Sequence, residues 1–316
     1  MLKKISLRKI SVSALAIVAL LMLYLFPEND NTKSYSLAND DIEYVYSNAA
    51  SVIYLLDSKD YVARTQIDGC NCADQDNIKN TLEGLIIDGK RSGEIPNGFR
   101  SIIPVGTEIL GLDLQDKVLT VNFSKELLEV NESYEEKMIE AIVFTLTSID
   151  GIDKVIIQVE GEVLEKLPNS NKNLPAVLDK EYGINKVYDL VNMTDVSSYT
   201  VYYVSKYNDN SYYVPVTKYT NNKGDKVKII IDELSSSPVH EANLMSYLSS
   251  NASLMDYSLK DDVLKLNFDN YILTDSNKIL EEVIYTISLS LEDNYDVTEV
   301  DFLVDNNEVY KNVLKS

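Results

Sequence analysis

Tryptophan is absent from this chain, histidine occurs once, at position 240, and cysteine twice, at 70 and 72. A structural zinc site takes four nitrogen or sulfur ligands, and His240, Cys70 and Cys72 fall one short. The same scarcity excludes a clustered transition-metal centre, and no cofactor is implied. Glycine, at 11 residues, and proline, at 7, are too few for a long low-complexity linker. Cations are outnumbered: 29 Lys and Arg face 50 Asp and Glu, for a formal charge of −21. Such a surface repels phosphate backbones, so no nucleic-acid partner is expected. The acidity reads as a solvated surface, because the DxDxDG spacing of a calcium loop is missing. Cys70-Asn71-Cys72 is left as either a tight loop disulfide or a free pair, with no catalytic role.

What is present is ordinary for a globular protein: 45% hydrophobic and 25% charged residues. The 316 residues allow about two domains of roughly 100–200 residues each. At the start, Lys3, Lys4, Arg8 and Lys9 precede an apolar run of 17 residues, 10–26. That is the short end of the ~17–25 residues that span a bilayer. Pro27, Glu28 and Asp30 close the run, and cations before with acids after place the body outside the cytoplasm. No A-x-A-like cleavage site follows. Residues 1–27 therefore read as an uncleaved single-pass anchor in the cell membrane, with a cleaved signal peptide as the alternative, and residues 28–47 as a polar stalk.

The body contains a duplication. Val118–Phe123 reads VLTVNF and Val263–Phe268 reads VLKLNF, four of six positions identical and 145 residues apart. Around each copy the order of elements is β-β-α-β-β-α-β. In the first copy, residues 52–56 and 61–67 form a hairpin. A helix over 76–88 is capped by Gly89, and strands 108–114 and 117–123 meet in a tight turn at Gln115-Asp116. A helix opens with a Ser133/Glu136 capping box, and strand 155–159 ends the copy. In the second, strands 200–206 and 212–218 flank the loop 207–211. Residues 224–234 form a helix, 241–249 a short helical turn, 254–259 and 263–268 paired strands, 278–289 a helix and 302–304 a strand. The stripe Leu280, Val283, Ile284, Ile287 matches Ile139, Ile142, Val143, Leu146 at a spacing of 141. The fold class is α+β, in two similar small domains with helices on one sheet: 48–163 and 199–316, joined by 164–198. Read as separate domains, the two copies melt separately.

No grouping of acid, base and nucleophile emerges. His240 follows Ser235-Ser236-Ser237-Pro238 in a loop and reads as a surface residue. Ser124-Lys125 has the residue types of a Ser–Lys dyad, but adjacent side chains diverge. Glu126, Glu129, Glu132, Glu135 and Glu136 are a solvated run at a helix start, where the dipole favours negative charge. Asn122 and Asn267 end matching strands; their amides are expected to hold backbone groups of the loop that follows, while Phe123 and Phe268 turn into the core. Tyr199, Tyr202, Tyr203, Tyr207, Tyr212 and Tyr213 crowd one hairpin and suit an interface or strand packing equally.

These residues carry a resemblance. Pro104-Val105-Gly106-Thr107-Glu108-Ile109-Leu110-Gly111-Leu112, Leu119-Thr120-Val121-Asn122-Phe123-Ser124, Val143-Phe144-Thr145-Leu146-Thr147 and Val155–Val159 together resemble the GerMN domain of sporulation and spore germination proteins. The linker segment Lys180-Glu181-Tyr182-Gly183-Ile184-Asn185 is similar too. The second copy keeps Val263-Leu264, Asn267-Phe268 and Tyr285-Thr286-Ile287 but has Asn251-Ala252-Ser253-Leu254-Met255 where the first has Pro-Val-Gly-Thr-Glu. The resemblance implies a membrane-associated, extracytoplasmic protein of spore envelope assembly or germination. It also implies a fold similar to the ring-building modules of secretion machines, and Gly106, Thr107, Asn122, Phe123, Thr145, Asn267, Phe268 and Thr286 as motif positions of structural weight. Members are often lipoproteins, and this chain departs by lacking a lipid-accepting Cys. The expected function is a non-catalytic module in an envelope protein complex, through partners or self-association. An extracytoplasmic peptide- or glycan-binding module and a cell-wall hydrolase are the alternatives.

Overall fold

The computed structural model describes residues 50–236, 243–295 and 297–314. The apolar run 10–26, the polar segment 28–47 and His240 lie outside the described residues. Among the described residues no helix is long and apolar enough to cross a membrane. The described residues fall in one compact unit.

The architecture is α+β, and the order of elements repeats. The first half comprises β1 (Ala50–Asp57), β2 (Val62–Asp68), α1 (Gln75–Leu85), β3 (Phe99–Arg100), β4 (Ile109–Gln115), β5 (Val118–Phe123), α2 (Glu135–Leu146), β6 (Lys154–Val159) and β7 (Glu162–Val163). The linker contributes β8 (Val187–Asp189). The second half comprises β9 (Ser197–Tyr207), β10 (Asn210–Thr220), α3 (Lys226–Ser235), β11 (Leu254–Lys260), β12 (Val263–Phe268), α4 (Glu281–Tyr295), β13 (Glu299–Val304) and β14 (Asn307–Val313). Four of these strands, β3, β7, β8 and β14, are missing from the sequence reading. They are short or, like NEVYKNV of β14, almost wholly exposed, so no apolar period marks them.

Each half has its own four-stranded sheet, β4-β5-β6-β7 and β11-β12-β13-β14. In both, the outer pairs are antiparallel and the central pair parallel, with α2 or α4 as the crossover that a parallel pair requires. The hairpin turns Asp116-Lys117, Glu160-Gly161, Asp261-Asp262 and Asp305-Asn306 have positive φ at both positions, the type I′ geometry that matches strand twist. The first of these sits one residue later than expected. A third sheet holds both long hairpins: β2 meets β10 at Arg64 and Tyr213, β9 pairs along β10, and β8 runs parallel to the end of β10.

The helices depart from the sequence reading in four ways. α1 ends at Leu85, and Gly89 lies beyond it rather than at its cap; a Cβ there would approach the Glu83 carbonyl to 2.7 Å, so close packing explains the glycine. Ser133 bonds Asn131 by backbone and hydroxyl, and α2 starts behind Tyr134 with no side-chain cap, so the capping box does not form. α4 starts at Glu281, with Leu280 39% exposed outside it. The buried stripe Ile139, Ile142, Leu146 corresponds to Ile284, Ile287, Leu291, at the strands' spacing of 145. The spacing of 141 was one helical turn out. Residues 243–249 make no helix; Met245 pairs instead with Val204 as an isolated bridge.

Two cores result, one around Phe123 and α2, the other around Phe268 and α4, with Phe123 and Phe268 both at 0% exposure. Phe99 packs against both cores, and Ala63 of β2 belongs to the second. Phe123→Ala and Phe268→Ala should each cost about 3–5 kcal/mol, the range for truncating a fully buried aromatic. Urea denaturation of the two variants should show equal losses within that range; a loss under about 1 kcal/mol, as at surface sites, would contradict the burial.

Candidate functional site

Asn122 and Asn267 do not hold the loop that follows them. Asn122 Oδ1 accepts from Gly161 N at 2.9 Å, and Asn267 Oδ1 accepts from Asn306 N at 2.9 Å, 39 residues downstream in both halves. Each amide spans the parallel pair to fix the turn after the neighbouring strand. The motif is repeated because each sheet needs its last hairpin latched. Gly106, at φ 82, takes the third place of a type II turn from Pro104 to Thr107, and the Thr107 hydroxyl donates to Pro104 O at 2.8 Å. Thr145 Oγ1 accepts from Tyr54 N at 2.9 Å. Its counterpart is Ser290, whose Oγ accepts from Tyr202 N at 2.8 Å; Thr286 lies one turn earlier and bonds the Glu282 carbonyl. In each half a helix hydroxyl thus satisfies a strand amide that has no strand partner.

The two halves meet in a buried polar seam. The Tyr54 and Tyr202 hydroxyls are 2.7 Å apart, and Tyr202 donates to Asp293 Oδ2 at 2.6 Å. The Lys180 ammonium donates to the other Asp293 oxygen. Burial pushes the Tyr202 phenol well above its ordinary range. Burial opposes the charge on Lys180, but Asp293, with Tyr54 and Glu292 beside it, holds the ammonium above its ordinary range. Beside them Asn185 acts as a wedge: its side chain accepts from Val62 N at 3.0 Å and donates to Val62 O at 2.8 Å and Pro215 O at 2.7 Å. It therefore bridges β2 and β10 where Pro215 has no N–H to offer. The turn that delivers it needs Gly183, at φ 79, where a Cβ would lie 2.6 Å from the Tyr219 hydroxyl. Asn185 N donates to Glu140 Oε2 at 3.0 Å, and Lys186 reaches Glu136 at 2.9 Å and Glu140 at 3.5 Å. Tyr54, Lys180, Asn185 and Asp293 are not among the sequence-predicted site residues; the linker resemblance covers Lys180 and Asn185, and Tyr202 is one of the hairpin tyrosines that suit an interface or strand packing.

Two surfaces remain for contact with other molecules. The first is a pair of open strand edges: β4 and β11 end their sheets, and among the described residues nothing pairs on their outer sides. Both carry a bulge at the same place, 109/111 and 254/256. Leu110 and Met255 are 47% and 64% exposed, Leu114 and Leu259 36% and 47%, and each pair is 145 residues apart. The second is a cleft of about 650 Å³ in the first half, walled by Ile95, Phe99, Pro104, Val130, Arg100 and Tyr134. Arg100 lies 5.6 Å over the Tyr134 ring and is ion-paired with Asp60. Of the candidates for chemistry, Ser124 Oγ accepts from Glu108 N at 2.9 Å, tying the end of β5 to the start of β4. Glu135 binds the backbone of Asn169 and Ser170, which holds its carboxyl below the ordinary range despite burial.

The chain matches the family described as Germane, sporulation and spore germination, over residues 52–165 and again over 200–310. It is 30% identical over 256 residues to the spore germination protein GerM of Bacillus subtilis strain 168, covering 78% of this chain and 69% of that protein. A solved structure of the tandem GerMN domains of the sporulation protein GerM from Bacillus subtilis superposes with a TM-score of 0.75 at 29% identity, over 83% of this chain and 92% of that one.

The seam has a pH signature. Burial raises the Glu140 carboxyl from its ordinary 4.5 to about 7, against the opposing charge of Lys186. The folded state therefore holds a proton that the unfolded state releases, so this contribution to stability is complete below about 4.5 and lost as pH rises through about 7. Comparing the native chain with Glu140→Gln by denaturation at pH 5 and pH 8, the native chain should lose stability relative to the variant. Parallel behaviour would show that Glu140 does not titrate there.

Proposed function

Because the chain belongs to the Germane family of sporulation and spore germination proteins, we propose that it works by contact as a module of a complex at the cell envelope. In this reading residues 10–26 hold it in the cell membrane as a single-pass anchor, with the body outside the cytoplasm. The observation that carries the proposal is the repeated open edge. β4 and β11 present unpaired backbone groups flanked by equivalent exposed apolar side chains, Leu110 with Met255 and Leu114 with Leu259. Soluble proteins ordinarily blunt such edges; here each carries a bulge at its start, but the strand beyond it stays uncovered with its apolar side chains exposed, which supports a neighbour, a second copy of the chain included, that adds a strand or packs on them. One such contact is weak, and tethering to a shared membrane raises the effective concentration enough to make it count.

A second reading, a peptide- or glycan-binding module, is favoured by the cleft, whose about 650 Å³ lies within the range of ligand sites. The two readings separate by mutation. Leu110→Glu with Met255→Glu should leave the melting temperature of the body unchanged. It should remove the protein from high-mass complexes after cross-linking in sporulating cells. Ile95→Glu in the cleft should leave those complexes intact. The opposite pattern would transfer the function to the cleft, and recovery of monomer alone from native cross-linked membranes would end the contact reading.

A further inference from the structure

Cys70 and Cys72 are joined as a disulfide that encloses a single residue, Asn71. A bond that closes so short a loop removes little chain entropy from the unfolded state, so it adds little as a staple. The loop does not depend on it for shape either. Asn77, on the buried face of α1, donates from Nδ2 to Cys70 O at 2.7 Å and to Cys72 O at 2.8 Å, and its Oδ1 accepts from Cys70 N at 3.3 Å. Ser51 Oγ, buried on β1, donates to Cys70 O at 2.7 Å. Asp150 N donates to Asn71 O at 3.2 Å from the far side. The backbone is thus clamped by five hydrogen bonds, none of which involves sulfur. Both cysteines are only half-buried.

We propose that Cys70-Asn71-Cys72 is a thiol–disulfide exchange site for a protein dithiol, by which a partner is captured covalently and oxidised. Asp74 sets the direction of attack. Its Oδ1 caps α1 by accepting from Asn77 N at 2.9 Å, which aims Oδ2 at the sulfurs, 2.8 Å from Cys72 Sγ and 3.9 Å from Cys70 Sγ. Negative charge beside a carboxylate is disfavoured, so Cys70, the sulfur farther from Asp74 Oδ2, is the better first leaving thiolate. The incoming thiolate attacks Cys72 Sγ, the Cys70–Cys72 bond breaks, and its electron pair departs on Cys70 Sγ, which takes a proton from water. The partner's second thiolate then attacks the partner sulfur of the mixed disulfide and releases Cys72 as a thiolate, which takes a proton from water and as a thiol donates to the Asp74 carboxylate. Two electrons and two protons pass to this chain, and the partner gains a disulfide.

Glutathione serves as the probe. The full chain is equilibrated at graded ratios of reduced to oxidised glutathione, alkylated and read by mass spectrometry, with a melting curve at each ratio. The folded chain should interconvert between disulfide and dithiol with no change in melting temperature. Cys70→Ser should accumulate a glutathione adduct on Cys72 at least tenfold over the adduct on Cys70 in Cys72→Ser, and Asp74→Asn should narrow that ratio. Sulfurs that react only after denaturation, or a melting temperature that falls on reduction, would make the bond a structural staple and overturn the proposal. Stoichiometric uptake of zinc(II) by the reduced chain through Cys70, Cys72 and Asp74, in place of exchange, would overturn it as well.

Discussion

The junction between the two halves turns on one side-chain amide, that of Asn185. Two hairpins from two copies of the same fold meet edge to edge, but their second strands share register only at Arg64 and Tyr213. Beyond that point β10 offers a proline and a carbonyl, and β2 offers Val62 with both backbone groups unmet by strand. Buried backbone groups left in that state cost about 1–3 kcal/mol each. Asn185 meets three of them at once. Tyr54, Tyr202, Asp293 and Lys180 extend the same solution across the junction. A linker of this kind is not a spacer between domains. Its Asn185 joins β2 to β10 beyond the one place where the two strands pair directly.

Fixing the junction fixes the geometry of what the halves display. The open edges β4 and β11 are repeat-equivalent, each held to its own core through Phe123 or Phe268, and each core reaches the seam through a helix hydroxyl on β1 or β9. Both edges belong to one body, so in the proposed reading they are presented to neighbours together. A pair of independently mobile domains would give each contact up to ordering entropy separately.

Much of the repeat was legible because strand patterns and type I′ turns are local. VLTVNF and VLKLNF announce themselves, and burial of Phe123 and Phe268 follows from alternation. The helix register was not legible in the same way: residues four apart lie on one face, so Leu280 to Ile287 fits the stripe as well as Ile284 to Leu291 does, and the exposure of Leu280 together with the Ser290 hydroxyl on Tyr202 decides. The role of Asn122 needed the turn 39 residues downstream, although Glu160-Gly161 and Asp305-Asn306 were there to be noticed in both copies. β14 escaped because an exposed edge strand carries no apolar period. The seam escaped because its members, Tyr54, Lys180, Asn185, Tyr202 and Asp293, are scattered along the chain and each alone is an ordinary polar residue. Reading the copies as separate domains that melt separately leaves that seam out.

The central claim is that the seam makes two repeats one cooperative body. Differential scanning calorimetry of the chain at neutral pH tests it most directly. The account predicts a single transition whose calorimetric and van't Hoff enthalpies agree. Two resolved transitions, or a calorimetric enthalpy about twice the van't Hoff value, would mean that the halves unfold independently and that the seam does not couple them.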